Sequence, residues 1–105
     1  AVHAEGPGRV AARVRHFAPQ AGVVEDPVTG SAAGALGACL GGAGMARDGA
    51  LQMIVRQGQE MGRPGEVAVR VSVGDDGPSR VQVGGLVLPV LRGRFGPDPA
   101  VPAPG

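Results

Sequence analysis

Aromatic residues are almost absent from this chain: Trp and Tyr do not occur, and Phe occurs twice in 105 residues. No aromatic platform exists for stacking bases, the Arg residues are scattered, and the formal net charge is only +1, which removes the case for a nucleic-acid partner. There is one cysteine, Cys39, so an internal disulfide is excluded and a reducing compartment is compatible. No stretch reaches the roughly 18 apolar residues of a membrane span, and no basic-then-apolar leader is present. His3 and His16 lack partners at metal-ligand spacing. The expectation is a cytoplasmic protein with no nucleic acid, no membrane and no metal among its partners.

What is present is small and apolar. Hydrophobic residues make up 43% of the chain, enough for one core built from Val, Ala and Leu. Twenty Gly and ten Pro would mean low complexity in an unpatterned chain. Here alternating Val runs argue for folding. Ala1–Gly8 reads as an irregular start. Over Arg9–Phe17, Val10, Ala12, Val14 and His16 face one way, which predicts a strand. Ala50–Gln57 and Glu66–Val73 predict two more, the latter with Val67, Val69, Val71 and Val73 on one face. Arg80–Val83 and Leu86–Leu91 predict a further pair around a Gly84-Gly85 bend, with Pro89 marking an edge or bulge. Residues 96–105 are Pro-rich and are expected to be disordered.

A helix is predicted from Thr29 or Gly30 to about Leu40, stopped by Gly41-Gly42. It carries no charge and is apolar all round, which predicts burial on every side, Cys39 included. Gly34, Gly37 and Gly41 share a face, where close packing must offset about 1 kcal/mol per interior glycine. Cys39 stands eight residues past Ser31, about 12 Å along the axis, too far to serve the helix start.

The helix start is where chemistry concentrates. Glu25-Asp26-Pro27-Val28-Thr29-Gly30-Ser31 places two carboxylates just before unpaired backbone N–H groups. Asp26 reads either as an acid that exchanges protons with an anion seated there or as a charge complementing the helix dipole. Thr29 and Ser31 read either as substrate contacts or as ordinary N-caps. Gly58, Gly62 and Gly65 only superficially resemble a phosphate loop, since no Lys-Ser/Thr follows. Arg63 reads as a structural arginine pairing Glu60.

Four ordered blocks carry a family resemblance: Arg15-His16-Phe17-Ala18-Pro19, Glu25 to Gly37, Gln57 to Gly65, and Val81-Gln82-Val83-Gly84-Gly85. Over about Arg9 to Phe95 the chain resembles the PhzF-like phenazine-biosynthesis proteins. The resemblance implies an α+β chain with a diaminopimelate-epimerase-like fold, here a partial β-barrel wrapped around the apolar helix. It implies that residues 1–95 are a C-terminal domain portion, the first domain and its principal acid/base lying elsewhere. By position, Asp26 matches the family's active-site aspartate. Gly30 and Ser31 match the pair at the helix start that binds the substrate, its carboxylate received by backbone N–H groups, and with their neighbours Thr29 and Ala32 they are the expected substrate-binding residues.

The implied reaction is a cofactor-free proton shift on a small carboxylic acid. The implied partners are that substrate and either a second copy of the chain or a separate N-terminal half. Related epimerases carry a catalytic cysteine immediately before the Gly-Ser/Thr of this helix; Thr29 stands there, so a two-thiol racemase is not expected. The competing reading is a non-catalytic barrel half acting as a binding or interaction module.

Overall fold

The computed structural model describes residues 1–97. Five strands form one mixed sheet: β1 (Val2–Gly6), β2 (Arg9–Val14), β5 (Ala50–Gln57), β6 (Gly65–Gly74) and β7 (Gly77–Gly84), in the order β1-β2-β5-β6-β7. All neighbours are antiparallel except β2 and β5. Parallel strands need a long crossover. Residues 15–49 provide it, carrying a two-stranded sheet of β3 (His16–Ala18) and β4 (Val23–Asp26) and then helix α1 (Gly30–Leu40).

The alternation read in the sequence decides which face is buried. Val10 and Ala12 of β2, Leu51, Met53 and Val55 of β5, and Val67, Val69 and Val71 of β6 all point to the side that α1 covers. Each of the larger side chains contributes about 1.5–3 kcal/mol on burial. Their neighbours Arg13, Gln52, Ile54, Arg56, Ala68 and Arg70 face the other way and are exposed. The glycine stripe explains how close the helix lies. A Cβ on Gly37 would stand 2.7 Å from Val69 Cγ1 and 3.1 Å from Val71 Cγ2. The stripe thus presses on valine side chains of the sheet.

Several expectations are corrected. The start of the chain is a strand, not irregular. Gly6-Pro7-Gly8 turns β1 back onto β2, and backbone pairing holds β1 although all its residues are exposed. The strand expected over Arg9–Phe17 divides between β2 and β3. Leu86–Leu91 is not a strand: nothing among the described residues pairs with the free edge of β7, and these residues stand in solvent.

The chain is thus α+β, a mixed sheet with one helix, and the sheet is not closed into a barrel. Among the described residues one side of α1 is covered. Ala33, Gly34 and Gly37 are buried, whereas Ser31, Ala35 and Cys39 are exposed, so the Cys39 thiol is not a core group. No helix among the described residues is long and apolar enough to cross a membrane. The expected disordered tail lies, for residues 98–105, outside the described residues.

Candidate active site

The link between β4 and α1 is shaped by two local preferences. Pro27 favours an extended Asp26 before it, and Thr29 is extended (φ −129°, ψ 96°) just ahead of the first helical residue, Gly30. Thr29 occupies the N-cap position yet makes no side-chain capping bond. Its hydroxyl instead donates to Asp26 Oδ2 at 2.6 Å. The first helix amide with an acceptor is that of Ala33, on Thr29 O at 3.1 Å. The Gly30, Ser31 and Ala32 amides find none among the described residues. Three N–H groups and the positive end of the helix dipole thus lie beside the Asp26 carboxylate.

The two adjacent acids have different surroundings. Glu25 is claimed by Arg15, whose Nη2 and Nε reach Oε1 at 2.6 and 2.8 Å, and the Arg15 guanidinium also stacks 4.9 Å from the Phe17 ring centre. Asp26 has no cationic partner within salt-bridge distance among the described residues. His16 sits opposite Asp26 in the β3–β4 register but makes no ion pair with it.

Gln57 is the site residue that the motif reading left without a role. It is the last residue of β5, 1% exposed, and its Nε2 donates to Asp26 O at 2.7 Å and Thr29 Oγ1 at 2.9 Å. The available signal was its register: the inward series Leu51, Met53, Val55 ends on a polar residue. Its Oε1 is buried without a partner, a loss of about 1–3 kcal/mol.

Gly58 follows in the left-handed region (φ 89°). A Cβ there would collide with Arg63 O and stand 2.8 Å from Pro27 O, so only glycine lets this turn seat against the β4–α1 link. The turn opens a three-residue 3-10 segment, Gln59–Met61, not an α-helix. Glu60 within it pairs with Arg13 at 3.0 Å, rather than with Arg63 as the sequence led us to expect.

Of the residues singled out in the sequence, Asp26, Thr29, Gly30, Ser31 and Ala32 fall in one continuous corner. Thr29 is buried, Asp26, Gly30 and Ala32 are half-buried, and Ser31 is exposed. A broad open cleft lined by Val28, Gly30, Pro64, Gly65, Val83 and Leu86 adjoins the helix start, and a shallower groove runs from Gly30 along α1 beside Val81 and Val83. Asp26 borders the corner but lines neither. Among the described residues no three His, Cys, Asp or Glu gather as metal ligands.

A mixed sheet carrying one small-residue helix, with a carboxylate bonded at its start, defines an α+β chain with an anion-compatible corner. The chain matches the family model described as phenazine biosynthesis-like protein over residues 2–93, and it belongs to that family. It is 44% identical over 84 residues to the uncharacterized isomerase YddE of Salmonella typhimurium, covering 78% of this chain and 28% of that protein. To an uncharacterized isomerase of Deinococcus radiodurans it is 46% identical over 82 residues, 76% of this chain and 26% of the relative. To the trans-2,3-dihydro-3-hydroxyanthranilate isomerase of Pseudomonas chlororaphis it is 44% identical over 81 residues, 77% and 29% respectively. The chain therefore spans less than a third of the length of these relatives.

Proposed function

We propose that this chain supplies the C-terminal half of the active site of a cofactor-independent PhzF-like isomerase, which shifts a proton on a small carboxylic acid. The observation that carries the reading is the Thr29–Asp26 hydrogen bond beside the unpartnered Gly30, Ser31 and Ala32 amides. The substrate carboxylate binds those amides, where the helix dipole favours an anion. Asp26 assists or orients the transfer of a proton that leaves one carbon of the substrate and returns at another, so the reaction is redox-neutral. The principal acid/base belongs to the first domain of the diaminopimelate-epimerase-like fold, outside this chain. The name of the Pseudomonas relative makes trans-2,3-dihydro-3-hydroxyanthranilate the first substrate to try.

The test is turnover of that acid in D2O by the complete enzyme. Deuterium should enter the product, and Asp26→Asn should lower turnover by about 10²–10⁴-fold. Unchanged turnover would sink the role given to Asp26.

A second reading, a barrel half that binds without chemistry, is favoured by one observation. Leu86, Val87, Leu88, Val90 and Leu91 stand exposed in the chain just after β7, whose outer edge is unpaired among the described residues. Such an edge invites pairing with a second copy or with a separate N-terminal half. Under this reading the amides bind the acid and no deuterium is exchanged.

A further inference from the structure

Gln57 occupies an inward position where β5 otherwise places Leu, Met and Val, and it is 1% exposed. Its orientation is fixed by chemistry. A backbone carbonyl only accepts, so the atom 2.7 Å from Asp26 O must be the amide nitrogen. The same nitrogen lies 2.9 Å from Thr29 Oγ1. Because a Gln57 proton arrives at that hydroxyl, Thr29 keeps its own proton for Asp26 Oδ2 at 2.6 Å. The relay runs one way, from amide to hydroxyl to carboxylate.

The other carboxylate oxygen, Oδ1, receives no donor among the described residues and is not completely buried. Gln57 Oε1, by contrast, is buried without a partner. An apolar side chain would fill the space without stranding an acceptor, so the position is occupied for its two donated bonds.

We propose that Gln57 is a positioning residue that acts through Thr29 to make Oδ2 of Asp26 an acceptor, so that Asp26 exchanges protons through Oδ1. The functional meaning rests on the isomerase reading of Asp26; the relay itself does not.

The test uses the 105-residue chain and the carboxyl carbon resonance of Asp26. Thr29→Val should shift it, and Thr29→Ser should restore it. Gln57→Glu, equal in size and, when ionised, an acceptor where the amide donates, turns the Thr29 proton away from Asp26 and should shift the same resonance. The double variant should move it no further than Thr29→Val alone, because the two residues act in series. Additive shifts, or no response to Gln57→Glu, would overturn the proposal.

Should Gln57→Glu unfold the chain, hydrogen exchange decides. The Gln57 side-chain protons should exchange on the order of tenfold more slowly than those of exposed Gln20 and speed up in Thr29→Val; equal rates overturn the relay. Anthranilate added as a probe separates the two ideas. If the cycle holds but the Gly30, Ser31 and Ala32 amides ignore anthranilate, the isomerase reading fails and the relay stands. If anthranilate binds and the cycle fails, only the role of Gln57 falls.

Discussion

Thr29 gives its hydroxyl proton to Asp26, three residues earlier, and leaves the helix it precedes without a side-chain cap. Capping by Thr contributes about 1 kcal/mol in an ordinary helix. Here that contribution is exchanged for an ordered carboxylate and three open amides. A residue placed only to cap the helix would not make this exchange.

The consequence is measurable by urea unfolding. Thr29→Val nearly conserves volume but takes an acceptor from Gln57 and a donor from Asp26, and it should cost about 1–3 kcal/mol. Thr29→Asp separates the two roles of the residue. At a capping position Asp is as good as Thr or better; beside Asp26 it adds a second carboxylate and removes the donor. It should be the less stable of the two variants. Wild-type stability in Thr29→Asp would mean that the residue is a cap after all.

Two glycines of the stripe on α1 should respond in opposite directions to the same substitution. At Gly34 an added Cβ would meet Val81 Cγ1 and Val83 Cγ1 at 3.4 Å, ordinary contact, so Gly34→Ala should gain up to about 1 kcal/mol of helix propensity. At Gly37 the nearest methyl would be 2.7 Å away, in a row with Val71 and Met53, and overpacking should cost about 1–3 kcal/mol. Thermal unfolding of the two variants checks the pair; equal shifts would contradict the packing described for α1.

The parts of this molecule that can be read from its sequence are those stabilised by local pattern. The Val67, Val69, Val71 series and the limits of β5 follow from period-two alternation against one core. The start of α1 follows from small residues after Pro27. What escaped depends on contacts between distant segments. Strand β1 has no buried residue and exists through pairing with β2. Leu86–Leu91 has the composition of a strand but pairs with no strand among the described residues. The burial of Cys39 was inferred from apolarity all round the helix, yet composition cannot say whether both sides are covered. At the site, Asp26, Thr29 and Gly30 are contiguous and were legible together, whereas Gln57 joins them from 28 residues beyond Thr29.

Acid stability offers a last prediction, on the link between β2 and the turn after β5. The Glu60 carboxyl is held below its ordinary value of 4.5, first by a hydrogen bond from its own backbone amide and then by the Arg13 guanidinium, with desolvation opposing and Arg15 adding a small attraction. A carboxyl whose pKa is lower folded than unfolded stabilises the fold above its unfolded value. That contribution disappears as the pH falls through the folded value. Glu60→Gln should therefore be destabilising at about pH 6 and converge on wild type at a strongly acid pH, as the folded as well as the unfolded carboxyl becomes protonated. Arg13→Ala removes only the second cause, and Arg13 is well exposed, so its effect at pH 6 should be the smaller of the two. Urea midpoints at the two pH values decide the matter: a Glu60→Gln deficit that persists or grows in acid would show that the residue contributes through packing and not through its charge.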